Sequence, residues 1–419
     1  MKYPDKTVLV YDRGLFVELA IRLARDFGRV LYYKPCCLAF PKSSWDEIGS
    51  GIAGVERIPA DEFWDVIDWV DLFVFPDIYD GGLQVHLRDT CGKRVWGNFG
   101  ADVMETDRWG MRRLMKEIGM EIPPTHRVKG LPALRQHLAD KKNKFVKIGH
   151  YRGDMESFRH DAAHTTEPFL DVLADQMGKR ADDYEFLVED KIEGIEVGYD
   201  GYAVDGQFPD VASYGYEIKD LGYIGKVANY ADFPEALTSI NAKIAPVLKM
   251  HNARGFISME VRVTKDRTPY LVDPCIRCGS PPTEGEMEVW ENLAEILWEG
   301  AEGKLITPKP TCKYYVIAMI HSEFARDHWT PIEIPPEIRQ WVKLKCCCEK
   351  DGKAFFVPTG EDCTEIGGVV ALGDSLDEAV KLVQERADQV KGYKVEVTVN
   401  SIENALKEVE EGKEVGVNF

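Results

Sequence analysis

Residues 255–284 read GFISMEVRVTKDRTPYLVDPCIRCGSPPTE. Two apolar stretches, Gly255–Val263 and Pro269–Val272, flank the polar turn Lys265–Arg267, the pattern of a β-hairpin. Each strand delivers one acid: Glu260 on the first, Asp273 directly after the second. The two are 13 residues apart, and a hairpin sets them side by side. Carboxylates held that close repel one another unless a cation lies between them. Magnesium suits such a pair, because it takes one or two carboxylates and completes its shell with waters and substrate phosphates. Arg277 follows Asp273 by four residues, within reach of an anionic oxygen in the same place, and Arg262 is a second candidate. A solvated hairpin with ordinary surface acids has the same spacing. Against that reading, Asp273 closes an apolar strand and runs straight into Pro, Arg and Gly.

Upstream, Lys147 sits near the end of the strand Lys144–Ile148, where a lysine can meet a nucleotide phosphate as a point charge. Two more strands, Glu185–Glu189 and Glu196–Tyr202, flank a turn at Gly194. Glu189 and Glu196 are thereby seven residues apart, which can place backbone groups against an adenine and a carboxylate against ribose hydroxyls. Taken alone, this piece reads better as an acidic edge hairpin. Helices are expected at about Thr106–Ile118, with Asp107 near its start and Gly119 at its end, at Phe233–His251 and at Gly285–Trp298.

Further out, the first hundred residues alternate strand, turn and helix. Thr7–Tyr11, Val30–Tyr33 and Asp71–Phe75 are short apolar strands, and Phe16, Leu19, Ala20, Leu23 and Ala24 recur at helical spacing. That alternation marks an open parallel sheet, whose strand ends bind ligands. Beyond Pro308–Pro310 come strands at Tyr314–Ile320, Val342–Cys348, Ala354–Val357 and Gly367–Leu372, and an amphipathic helix at Asp377–Gln389. The expected organisation is an N-terminal α/β substrate domain over 1–100, a middle domain of two α+β subdomains over 101–307 and a small C-terminal α+β domain over 308–419.

The 419 residues carry a net charge of −19, which argues against a nucleic-acid surface. No apolar run approaches the roughly 18 residues of a membrane span, and the N-terminus lacks the pattern of a signal peptide. The ten cysteines include Cys36-Cys37 and Cys346-Cys347-Cys348, an arrangement foreign to secreted disulfide frameworks; a cytoplasmic protein is expected. Cys275 and Cys278 form a single C-x-x-C, half of a structural zinc site at most, and the triple cysteine reads as a strand with alternate burial.

In their order, these pieces resemble the ATP-grasp superfamily, and more specifically the phosphoribosylamine–glycine ligase (glycinamide ribonucleotide synthetase) family. The hairpin 255–284 is similar to that family's strand–hairpin–strand, which ends in a Glu-Phe-Asn-Cys-Arg-Phe-Gly-Asp-Pro-Glu type motif. On this match Glu260 and Asp273 take the metal positions, Cys275 stands at the Asn position, and Arg277, Gly279 and Pro281 coincide. VWGNFGADVMETDRWGMRRLM (95–115) resembles the entry into the ATP-binding domain, with Arg108 in place of a phosphate-contacting lysine. EIKDLGYIG (217–225), with Lys219, resembles a loop over the phosphates. VVALGDSLDEAVKLVQERADQV (369–390) resembles the C-terminal strand and helix, and FPDIYDGGL (75–83) the Gly-Pro-Glu loop of the first domain. The likeness spans almost the whole chain in the correct order. The chain departs from the family in its lid, here GHYRGDMES (149–157), and in its opening loop Tyr11–Glu18, which keeps Arg13-Gly14 and lacks the histidine.

The resemblance implies an ADP-forming carbon–nitrogen ligase using ATP and Mg2+ on a small-molecule carboxylate and a small-molecule amine, as a monomer or homodimer. It implies Glu260 and Asp273 as metal ligands, and Arg108, Lys147, Glu189, Glu196 and Lys219 around the nucleotide. Arg277 and Arg262 then act at the reacting groups. Three activities fit: glycinamide ribonucleotide synthesis itself, the same chemistry on another acid or amine, and nucleotide binding without catalysis. The altered opening loop and lid favour the second.

Overall fold

At the centre of the N-terminal sheet the strands are apolar and buried on both faces, as strands covered by crossover helices must be. In the computed structural model, which describes residues 1–36, 42–149, 157–218, 221–359, 364–399 and 402–419, they form a five-stranded sheet of order β3-β2-β1-β4-β5. The strands are β1 (Tyr3–Tyr11), β2 (Phe27–Tyr33), β3 (Glu56–Ile58), β4 (Leu72–Val74) and β5 (Arg94–Trp96), all parallel. Their carboxyl ends carry the Asp12–Phe16 and Pro76–Asp80 segments to one edge, facing the rest of the molecule.

A second sheet has its own core of Val146, Leu170, Phe186, Val188 and neighbours. It consists of β6 (Thr125–Lys129), β7 (Lys144–Ile148), β8 (Ser157–His160) and β9 (Glu185–Asp190), in the order β6-β9-β7-β8. The third sheet has nine strands and runs through the middle and C-terminal segments. It contains β10 (Ile195–Val204), β11 (Val211–Ile218), β12 (Gly222–Asn229), β13 (Arg254–Val263) and β14 (Pro269–Cys275), then β15 (Tyr314–His321), β17 (Val342–Leu344), β20 (Glu365–Gly373) and β21 (Glu396–Val397). Strands on both sides of Pro308 therefore share one sheet. β16 (Thr330–Ile332), β18 (Cys347–Lys350) and β19 (Lys353–Phe356) make a small separate sheet.

Several expected elements take another form. Glu189 and Glu196 do not flank a hairpin: β9 pairs with β6 and β7, while β10 pairs with β11 and β13, so residues 191–194 carry the chain from one sheet to the next. Gly194 is needed there, because a Cβ would lie 2.3 Å from the Val263 carbonyl oxygen. Within the 217–225 stretch, Glu217 and Ile218 end β11 and Gly222–Gly225 open β12, with Ile218 opposite Gly222. Lys219 and the lid residues 150–156 lie outside the described residues.

The helix expected over 285–298 is two helices, Pro282–Val289 and Leu293–Gly300. Arg22, from the first helix (Val17–Leu23), explains the break: its guanidinium donates to the carbonyls of Met287 (2.7 Å), Trp290 (3.2 Å) and Glu291 (3.4 Å). Nor is Val342–Cys348 one strand with alternate burial. Cys346 has φ 44° and bonds the Gly14 carbonyl through its N–H, splitting β17 from β18, and Cys347 and Cys348 are both buried. A C-terminal helix, Ile402–Glu414, lies against β11 and β12.

Candidate active site

The hairpin forms as expected, with β13 and β14 antiparallel and Glu260 directly opposite Asp273. That pairing depends on an irregularity. Val263, Arg262 and Val261 face Pro269, Tyr270 and Leu271 in regular register, which continued would bring Val272 opposite Glu260. A bulge at this point admits Val272 as an extra residue and moves Asp273 into place. Leu271 is fully buried, so strict alternation would have turned Asp273 toward the core. The bulge also presents the Val272 carbonyl, which accepts from Lys147 Nζ (3.2 Å) and Arg112 Nη2 (2.7 Å).

Lys147 Nζ lies 2.8 Å from Asp273 Oδ2 and 3.7 Å from Glu189 Oε2. Arg112 forks Glu189, with Nη2 3.0 Å from Oε2 and Nε on the other oxygen, and both side chains are buried. Burial works to raise the Asp273 pKa, but Lys147 and Arg112 outweigh it and hold the carboxyl at about 2. Glu189 is likewise lowered: burial opposes ionisation, and Arg112 and Lys147 overcome it. Glu260 goes the other way. Burial, and then the charges of Asp273, Glu196 and Glu217, push it well above the usual carboxylate range. The metal pair is thus one ionised acid and one acid short of positive charge, which a divalent cation would supply.

These groups line a cleft of about 630 Å3 between the four-stranded and nine-stranded sheets. At one end Glu196 pairs with Arg262, its cross-strand partner, which also donates to the Gly194 carbonyl (3.2 Å). Glu217, Glu408 and Glu411 complete that wall. At the other end Arg277 pairs with Glu105 (3.1 Å), donates to the Cys278 carbonyl (3.1 Å) and lies 3.9 Å from Asp77 of the N-terminal sheet edge. There Arg13 pairs with Asp80 at 2.6 Å. Burial, partly countered by Arg277, raises the Asp77 pKa.

The structure therefore brings Lys147, Glu189, Glu196, Glu260, Arg262, Asp273 and Arg277 to one cleft. Arg108 is off the cleft wall: it is buried and donates through Nη1 to the Ile148 carbonyl (2.6 Å), bracing the end of β7. The residue that does reach the cleft from that helix (Arg108–Glu117) is Arg112, which sequence reasoning passed over, as it did Glu105, Glu408 and Glu411. Cys275 and Cys278 are buried thiols, and burial raises the Cys278 pKa well above its ordinary value, the condition of an inert thiol. Among the described residues no three His, Cys, Asp or Glu side chains gather into a cage for a metal. A paired-carboxylate site that relies on substrate phosphates needs none.

By sequence the chain matches no protein-family model and no curated protein. By structure it is similar to phosphoribosylamine–glycine ligase from Thermotoga maritima, with a TM-score of 0.71 at 16% identity over 93% of this chain and 98% of that one. Biotin carboxylase from Campylobacter jejuni, in a complex with β,γ-ATP, gives 0.66 at 15% identity, covering 99% and 97%. L-amino acid ligase from Bacillus licheniformis gives 0.59 at 14%, covering 94% and 99%. Coverage is nearly complete in both directions, and the chain has the ATP-grasp fold. No helix among the described residues is long and apolar enough to cross a membrane.

Proposed function

We propose that this protein is an ATP- and magnesium-dependent ligase that joins a carboxylate to an amine through an acyl-phosphate. The observation that carries the reading is the bulge-enforced pairing of Glu260 with Asp273, with Lys147 Nζ 2.8 Å away, in a cleft between two sheets. Held by Glu260 and Asp273, magnesium would neutralise charge on the β- and γ-phosphates. Lys147 adds an ammonium where phosphate charge collects, and Arg112 keeps Glu189 and the Val272 carbonyl fixed behind it. Arg277 lies between the metal pair and the N-terminal edge and orients the carboxylate as it becomes an acyl-phosphate. In this reading residues 1–100 bind the amine, 101–307 hold the nucleotide and 308–419 complete the pocket.

A carboxylate is a poor electrophile, and its oxygen must first accept the γ-phosphoryl group. The amine nitrogen then bonds to the carbonyl carbon and the carbon–oxygen bond to phosphate breaks. Of the two protons lost from an ammonium, one leaves before attack and one departs with phosphate. The N-terminal edge supports a phosphate-free ammonium rather than a phosphoribosyl amine. Arg13 there is already paired with Asp80, and Asp77 and the buried Asp12 add further acid.

The test is release of ADP and phosphate from ATP and magnesium across a panel of amino acids, with and without phosphoribosylamine and phosphate-free amines, with hydroxylamine present to trap acyl-phosphate. Release that needs one acid and one phosphate-free amine is expected, and Asp273→Lys should abolish it. A requirement for glycine with phosphoribosylamine would instead establish glycinamide ribonucleotide synthesis. Nucleotide binding with no hydroxamate from any acid would count against a ligase.

A further inference from the structure

Lys147 reaches the metal pair from across the cleft. Its side chain comes from β7 of the four-stranded sheet and is buried, while Asp273 and Val272 belong to β14 of the nine-stranded sheet. Nζ donates to Asp273 Oδ2 (2.8 Å) and to the Val272 carbonyl (3.2 Å), and Glu189 Oε2 lies 3.7 Å away. An ammonium has three protons to donate. Two are engaged on β14, and the nearest other acid, Glu189, is already held by Arg112. Glu260, opposite Asp273 in the β13–β14 register, forms no ion pair among the described residues. Without nucleotide, one lysine therefore neutralises part of a carboxylate pair that a divalent cation would neutralise in full.

We infer that Lys147 takes the place of the metal on Asp273 while the cleft is empty, and that it couples the two ligands by passing to phosphate as the metal takes over Asp273. The inference rests on the reading above, that magnesium and nucleotide share this cleft, and deepens it. The reason is charge. Magnesium arriving alone would bring a dication against a buried ammonium that has no unengaged anion to turn to. Nucleotide arriving alone would set its phosphates against Asp273 once Lys147 turned away. When both arrive, each charge exchanges one opposite partner for another. Lys147 goes from carboxylate to phosphate, and Asp273 from ammonium to metal. No covalent bond changes and no proton moves. By linkage, the factor by which metal improves nucleotide binding is the factor by which nucleotide improves metal binding.

The experiment is binding of Mn2+, followed by EPR in place of magnesium, to the nucleotide-free full chain at fixed ionic strength. Wild type is compared with Lys147→Met, Lys147→Arg and the double variant Lys147→Met/Asp273→Asn. Lys147→Met should bind Mn2+ at least about tenfold more tightly than wild type, within the usual span of coupled sites. Lys147→Arg keeps the charge and should stay within about threefold of wild type. The double variant should lose the gain, which locates it at the metal pair rather than elsewhere on an acidic chain. A lysine that merely organises the cleft would leave Lys147→Met binding Mn2+ as weakly as wild type or more weakly, and that result overturns the inference. A gain that survives in the double variant overturns it too, as does an equal gain in Lys147→Arg. Calorimetric binding of ADP with magnesium to the wild type tests the underlying reading separately. Its failure removes the nucleotide reading and the coupling with it, while the Mn2+ comparison still decides whether Lys147 occupies the metal's place. Should Lys147→Met not fold, Lys147→Gln decides by the same comparison.

Discussion

Glu286, on the helix Pro282–Val289, is 2% exposed and accepts a hydrogen bond from Ser213 Oγ at 3.1 Å. Burial, followed by repulsion from Asp200, pushes its pKa up to about 8. Because the folded protein holds this proton more tightly than the unfolded chain, the associated stability is full below the ordinary carboxyl range and is lost as pH rises through 8. Urea unfolding at pH 5, 7 and 8.5 should show a loss on the order of 3 kcal/mol from this group. Glu286→Gln, neutral at every pH, should flatten that limb; an unchanged slope would mean the acid is not protonated in the fold. At this scale the site was partly legible. Arg108, Met111, Arg112 and Met115 share a stripe at helical spacing and are all buried, so both arginines face inward. Spacing alone could not say which one reaches the cleft, since that depends on where β7 ends.

Among the elements, the two-helix break at 290–292 and the split at Cys346 have a common origin. In each, a partner far along the chain takes a backbone group that local propensity would have left within a helix or strand: Arg22 for the carbonyls of Met287, Trp290 and Glu291, and the Gly14 carbonyl for Cys346 N–H. Periodicity carries no trace of such captures, which is why the hairpin 254–275 and the strand Lys144–Ile148 were readable while these were not. Arg22 is buried and its carbonyl partners sit at a helix end. Replacing it by Met should therefore cost about 2–4 kcal/mol, read as a lower urea midpoint. A change within about 0.5 kcal/mol would show that water or a neighbour satisfies those carbonyls as well.

For the molecule as a whole, the sheet β6–β9 has a hydrophobic core distinct from those of its neighbours. Across the cleft it is tied to β14 by Lys147 on Asp273 and Val272, and by Glu189 through Arg112. Lys147→Met removes the direct tie without touching that core. Proteolysis at residues 191–194 should then speed several-fold in the nucleotide-free protein, while amides of β7 and β9 keep their exchange protection. Loss of protection throughout the sheet would show that it does not stand as a separate unit. The parallel sheet within the first hundred residues was plain in the alternation of strands and helices. The continuity of one sheet across Pro308 was not, because pairing between β12 and β15 joins residues 88 or more positions apart and no local signal records it.

The Val272 bulge makes the hairpin a counting device. Between Glu260 and Asp273 the chain has little freedom in number, whatever freedom it has in kind: one residue more or fewer in the turn puts Asp273 out of step with Glu260 or forces the irregularity to migrate. Anyone diversifying this hairpin, or aligning distant sequences to it, should accordingly treat gaps in 264–272 as disqualifying and substitutions at Lys265 as cheap, but not those at Asp266, which accepts from the Thr264 and Thr268 hydroxyls, or at Arg267, which sits at φ 66°.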